Sequence, residues 1–170
     1  EKIYDIQGDI GIGHVSSCDP QPIAGYSKHG PFAVCFDGFN PAADSQRIDL
    51  MARGAFFASQ EDVEVIAGFI SHGFDIISGI ENAIRLTVGP CAMLVLTRDA
   101  IYAARDDRGW RPLVIGKDKG GTWVVASESC VFGSRFKLKH DVKPGEIVKI
   151  DREGLHTHRR FPDKRSYCVH

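Results

Sequence analysis

Excess charge of either sign is absent from this 170-residue chain: 21 Lys and Arg stand against 22 Asp and Glu, a formal net charge of −1. With an isoelectric point near 6.7, there is no electrostatic reason to expect nucleic acid or an acidic membrane as a partner. Long apolar runs are missing too, and the longest fall well short of the ~20 residues that cross a bilayer as a helix. The first residues, EKIYDIQGD, carry neither a basic leader nor an apolar stretch, so no secretory signal is expected. Cysteines are few and scattered: Cys18, Cys35, Cys91, Cys130 and Cys168 are odd in number and contain no CxxC pair. That argues against a disulfide framework or a self-contained zinc site and fits a reducing cytoplasm. Internal repeats and low-complexity segments are absent. What remains is an ordinary globular balance, 43% hydrophobic and 25% charged, in a length suited to one domain with a real core.

The pattern along the chain predicts helices in the middle and strands on either side. Residues 9–15, DIGIGHV, alternate apolar with small or polar residues and predict a strand. The Pro- and Gly-containing stretch 16–31 predicts a loop. FAVCF at 32–36 predicts a short buried strand ending at the turn dipeptide Asp37-Gly38. Asn40-Pro41 opens a predicted helix with Ile48, Met51 and Ala52 on its apolar side. Ser59 is the expected N-cap of a second helix, whose first turn holds Glu61, Asp62 and Glu64 in favourable relation to the helix dipole. Val63, Ile66, Ala67 and Ile70 form its stripe. A third helix is predicted over 76–87, with Ile77, Ile80, Ala83, Ile84 and Val88 at helical spacing. Strands are then predicted at 91–97, 100–105, 112–116, 122–128, 146–150 and 155–160. The whole predicts an α+β layered domain.

The most particular stretch is 101–129, IYAARDDRGWRPLVIGKDKGGTWVVASES. Strand, charged turn, strand, Gly-rich hairpin and strand make antiparallel sheet. The residue order is more specific than that. A YAARDxxGxRPLxxG run followed by WxxASES resembles the glutamine amidotransferase domain of amidophosphoribosyltransferases. GDIGIGHV, FAVCFDGFN, SQEDVEVI, ENAIRLTVGPCAMLVLTRDAIYAARDDRGWRPLVIGK, WVVASESCVF and DVKPGEIVKID follow the family's motifs in the same order. SYCVH resembles the start of the linker into a phosphoribosyltransferase domain.

The resemblance implies a four-layer αββα sandwich of the N-terminal-nucleophile hydrolase type, two antiparallel sheets between helical layers. It implies one such domain over 1–170, expected to lack the family's N-terminal segment and to end at the junction to a phosphoribosyltransferase domain. The implied chemistry is glutamine hydrolysis by an N-terminal cysteine whose α-amino group serves as base, with ammonia passed to a second domain. Glutamine or another small molecule is the expected ligand. A phosphoribosyltransferase domain or a second copy is the expected protein partner, with no nucleic acid, no membrane, no metal and no cofactor within the chain.

Several expected site residues depart from the family pattern. Residue 1 is Glu, so the nucleophile does not stand there. The arginine that follows GHV in the family, a bidentate carboxylate binder, is replaced by Ser16, Ser17, Cys18 and Asp19. Ser16 offers one neutral hydrogen bond, and Asp19 would repel a carboxylate. The oxyanion-hole Asn-Gly reads Asp37-Gly38 here; the Gly38 amide can donate, while an ionised Asp37 accepts only. Asp62 matches the aspartate that receives the glutamine α-amino group, although an acidic first helical turn explains it equally well.

Other reactive side chains have plainer readings. His14 and Cys18 lie four apart, which pairs side chains on a helix but not on a strand. Cys35 and Cys91 are expected as small core residues. Arg105, Asp106, Arg108 and Arg111 are expected to brace two hairpins. His156 and His158 share a strand face without a third ligand and are expected at the surface. Cys168 sits where iron–sulfur members of the family have a ligand, but one thiol makes no site. The expectation is therefore an amidotransferase-like domain with incomplete glutaminase machinery. The rival expectations are an active enzyme that recruits other residues and a binding, regulatory or assembly module that kept the fold.

Overall fold

The computed structural model describes residues 8–17 and 20–160. A six-stranded antiparallel sheet forms its centre, built from β1 (Ile23–Ser27), β2 (Gly30–Gly38), β3 (Cys91–Leu96), β4 (Ile101–Arg105), β8 (Glu146–Asp151) and β9 (Gly154–Arg160), in the order β1-β2-β3-β4-β8-β9. A second sheet pairs β5 (Val114–Lys117) with β6 (Trp123–Ala126) and β7 (Lys137–Asp141), in the order β6-β5-β7. Three helices, α1 (Ala43–Ala52), α2 (Asp62–Ser71) and α3 (Ile76–Leu86), connect β2 to β3.

Alternation along each strand separates two cores. Phe32, Val34 and Phe36 of β2, Cys91, Met93 and Val95 of β3, Ala104 of β4 and Ile147 of β8 meet Val63, Ile66, Ile70, Ile80 and Ala83 of the helices. On the opposite face Ala92, Ala103, Val148 and Ile150 meet Leu113, Ile115 and Val142 between the two sheets. Being covered on both sides is why 32–36 and 91–96 are apolar throughout rather than alternating. On the outer face of the smaller sheet, Phe132 from a 3-10 turn (Ser129–Phe132) lies where a Cβ on Gly116 would come within 3.0 Å of its ring. The architecture is the α+β sandwich of two antiparallel sheets that the resemblance implies. Among the described residues, no helix is long and apolar enough to cross a membrane.

Local chemistry accounts for the helix boundaries. Asp75 and Ser78 form a reciprocal capping box at the start of α3: the Ser78 amide donates to Asp75 Oδ1 at 2.7 Å, and the Asp75 amide donates to Ser78 Oγ at 2.8 Å. Ser59 is not the N-cap of α2; Glu61 takes that place, and the Glu61 amide donates to Ser59 Oγ at 3.2 Å in a turn one step earlier. Helix α1 presents Ala43, Arg47 and Leu50 inward, whereas Ile48 and Met51, expected on its apolar side, are exposed. Val88, expected to extend the stripe of α3, lies beyond its end and is exposed.

Three strand expectations change. Residues 9–15 form no strand: Gly11 and Gly13 weaken the alternation, and Val15 is 99% exposed. Part of the predicted loop at 16–31 is β1, which pairs with β2 from Ile23 opposite Val34 to Ser27 opposite Gly30. Strand β7 was not expected, because KLKHD reads as a solvated charge run. It is an edge strand with Lys137, Leu138 and Lys139 exposed, where lysines are common.

Candidate active site

The candidate site collects where β2 ends. Gln21 fixes the last turn of backbone before it, since its side-chain amide accepts from the Phe36 amide at 2.6 Å and donates to the Phe36 carbonyl at 3.0 Å. This amide imitates a strand partner just ahead of β1, where Pro22 has no N–H to give. Asp37 and Gly38 follow, in register with Ala92 and Cys91 of β3. A Cβ on Gly38 would lie 2.3 Å from the Pro90 carbonyl oxygen, so the close approach of the two chains requires glycine here. Asp37, opposite Ala92, belongs to the strand face turned toward the smaller sheet.

Asn40 then joins the pieces, a role the sequence reading, which took it as a helix opener, did not foresee. It is 2% exposed. Its amide donates to Asp62 Oδ2 at 2.8 Å, its Nδ2 donates to Gln46 Oε1 at 2.7 Å, and its Oδ1 accepts from the Ala42 and Val88 amides at 3.4 Å. Asp62 is therefore delivered from the start of α2 to the segment carrying Asp37 and Gly38. Arg47 holds the approach to α2 from behind. Arg47 as a whole is 5% exposed, and its guanidinium donates to the carbonyls of Ser59 at 3.2 Å, Gln60 at 2.7 Å and Glu61 at 3.4 Å.

Arg111 reaches Asp37 from the connection between β4 and β5. Arg111 Nε and Asp37 Oδ1 are 3.6 Å apart, with side chains 45% and 40% exposed. The turn that places Arg111 is braced as expected of the charged motif. Asp106, 5% exposed, accepts from the Arg108 and Gly109 amides through Oδ1 and from the Cys91 amide through Oδ2. Arg105 donates to the Val142 carbonyl at 2.8 Å and lies 3.6 Å from Asp141. Nearby, a cleft of about 660 Å³ runs past Arg85, Val88, Pro90, Arg108 and the exposed Trp110. Its Pro90 rim accepts a hydrogen bond from the Phe39 amide at 3.2 Å.

Of the expected site residues, the structure brings Asp37, Gly38 and Asp62 to one end of the larger sheet. Ser16 lies outside the strands, exposed in the irregular segment 8–17. Cys18, Asp19 and Cys168 lie outside the described residues. Cys35 and Cys91 are core thiols, 5% and 0% exposed. Burial pushes Cys35 up to about 11; burial, then Asp106 and Asp107, pushes Cys91 up to about 12. Thiols so disfavoured as thiolates are poor nucleophiles. His156 is exposed, but Asp151 and Glu153 join it with ligand atoms all within 4.8 Å of one another, while His158 stands apart from that group. Lys149 Nζ, 2.8 Å from Asp151 Oδ2, already supplies positive charge there.

Comparison with known proteins identifies the family and the fold. A family model described as a glutamine amidotransferase domain matches residues 10–133. The chain is 32% identical over 206 residues to the amidophosphoribosyltransferase of Mus musculus, covering 99% of this chain and 39% of that protein. It is 29% identical over 173 residues to the amidophosphoribosyltransferase of Methanocaldococcus jannaschii, covering 94% and 36%. The glutamine phosphoribosylpyrophosphate amidotransferase structure from B. subtilis, complexed with ADP and GMP, superposes with a TM-score of 0.74 at 32% identity over 83% of this chain and 32% of that one. The chain thus spans less than two fifths of the length of these relatives. On fold, motif order and family match together, the chain belongs to the glutamine amidotransferase domain family, in the N-terminal-nucleophile form found in amidophosphoribosyltransferases.

Proposed function

We propose that this domain binds glutamine and, as its pocket now stands, hydrolyses it weakly or not at all. Its place in the family links it to the supply of ammonia to phosphoribosyl pyrophosphate in purine biosynthesis. The observation that carries the reading is Asp37. At the position where the resemblance puts an oxyanion donor, a carboxylate faces Arg111 at 3.6 Å. A carboxylate accepts hydrogen bonds and opposes a developing oxyanion, and losing one such donor typically costs about 10²–10³ in rate. Asp62, hydrogen-bonded to the Asn40 amide through Oδ2, keeps Oδ1 as an acceptor for an α-amino group. The same change at Asp37 supports a second reading, a binding, regulatory or assembly module without glutaminase activity.

The test is ammonia release from glutamine by the full-length protein, compared with Asp37→Asn. The expected outcome is low wild-type turnover that rises at least tenfold in the variant. Wild-type turnover at ordinary enzymatic rates, on the order of 1–10³ s⁻¹, would overturn the proposal. Glutamine binding with no turnover in either protein favours the non-catalytic reading.

A further inference from the structure

The site carries a guanidinium that the family resemblance did not assign to substrate. We propose that Arg111 is the residue through which this domain recognises the α-carboxylate of its ligand, standing in for the arginine that Ser16 replaces. The inference rests on the proposed glutamine pocket and adds the origin of its selectivity for an α-carboxylate.

Four features point to Arg111. It is tied to the site by its contact with Asp37, the neighbour of Gly38 and close in the chain to the Asp62-bound Asn40. The contact uses Nε, so one edge of the planar fork is turned to Asp37 while the edge formed by the two terminal nitrogens is left to bind a second anion. A 3.6 Å separation with both side chains nearly half exposed is a loose pair, which solvent and a ligand can both reach and which contributes little to stability by itself. The base of Arg111 is nevertheless well placed. Pro112 restricts the backbone that precedes it, and the preceding turn is fixed by Asp106 and by Arg105. A positioned fork with a free edge is the chemistry that binds a carboxylate bidentately.

A competing account gives Arg111 a purely electrostatic task, neutralising Asp37 so that the ligand's carboxylate is not repelled. The two accounts separate by binding calorimetry on the full chain with L-glutamine and with 4-aminobutanamide, which is glutamine without its carboxylate. Wild type should bind glutamine at least tenfold more tightly than 4-aminobutanamide. Arg111→Gln should remove that preference, leaving affinity for 4-aminobutanamide within about twofold, and Arg111→Lys should keep part of it. In the double variant Asp37→Asn/Arg111→Gln the preference should stay lost, because the repelling carboxylate is gone but the fork is still missing. Recovery of the preference in the double variant would overturn the inference in favour of neutralisation. Retention of the preference in Arg111→Gln would overturn it outright while leaving the glutamine pocket standing. Failure of wild type to bind glutamine at all would overturn the glutamine reading, and this inference with it.

Discussion

Arg47 shows how one buried side chain determines where a candidate site residue sits. Its terminal nitrogens donate to three consecutive carbonyls, those of Ser59, Gln60 and Glu61, and its guanidinium lies 5.1 Å from the centre of the Phe57 ring. The Glu61 carbonyl also accepts from the Glu64 amide at 3.1 Å, so the acceptors that depend most on Arg47 are those of Ser59 and Gln60, at a cost of roughly 1–3 kcal/mol for each one left unsatisfied. The opposing term is that Nε of Arg47 is buried without a partner among the described residues, so the clamp is not free of cost. Two carbonyls satisfied by short contacts, with the third shared, outweigh one orphaned donor. Arg47→Ala is therefore expected to lower stability by about 2–4 kcal/mol. Because Asp62 follows directly on the clamped segment, glutamine affinity should fall with it. Denaturant unfolding and calorimetry check both. A change in stability below about 0.5 kcal/mol, the usual size for surface substitutions, would mean the loop is held by other contacts. Nothing in the sequence marks Arg47 for this role, since an arginine on a helix with mostly polar neighbours reads as solvated. Asp62, by contrast, stood out in the sequence as a candidate, because a motif pointed to it.

At the scale of elements, the helical layer depends on a close crossing of α2 and α3. A Cβ on Gly79 would lie 2.4 Å from the Ile70 carbonyl oxygen and 2.9 Å from the Ile70 Cα. Both are backbone atoms and cannot rotate away. Gly79→Ala gains about 1 kcal/mol of helix propensity, but separating the helices disturbs Ile66, Ile70, Ile80 and Ala83, all 0–1% exposed. Overpacking of this kind costs typically 1–3 kcal/mol, so against that gain the expected net effect is a loss of up to about 2 kcal/mol, read as a lower unfolding midpoint. A midpoint at or above that of wild type would show that the helices can part without strain. The stripes of α2 and α3 were legible because period and burial coincide there. Those of α1 were not: Arg47 takes an inward position and Ile48 an outward one, which reverses the pattern that apolar spacing suggests. The hairpin of β1 and β2 was hidden because its turn, Lys28-His29, lacks the usual turn residues and is secured by the His29 amide donating to Ser27 Oγ at 3.1 Å. Residues 9–15 fail in the opposite direction, having alternation but, among the described residues, no partner strand to make it count.

At the scale of the whole molecule, the two sheets must stay in register for Arg111, on the way from one sheet to the other, to meet Asp37. Glu146 is a buried polar joint between them. It is 3% exposed on β8 of the larger sheet, with Oε2 2.8 Å from His140 Nε2 on β7 of the smaller sheet. The Lys143 amide donates to the same oxygen at 2.7 Å, and Thr157 Oγ1 on β9 donates to Oε1 at 3.0 Å. Burial pushes this carboxyl up, but the Lys143 amide, His140 and Thr157 together hold it below its ordinary value of 4.5. A carboxyl depressed on folding stabilises the folded state above its unfolded value and loses that contribution as pH falls through the lower folded one. The joint is therefore intact at neutral pH and should weaken as pH falls below about 4.5. Glu146→Gln should destabilise the protein by roughly 1–3 kcal/mol at pH 7 and by progressively less as pH drops, so that the stability curves of the two proteins converge in acid. Parallel curves down to about pH 3 would show that Glu146 titrates alike folded and unfolded, and that apolar packing between the sheets, not this joint, keeps Arg111 opposite Asp37.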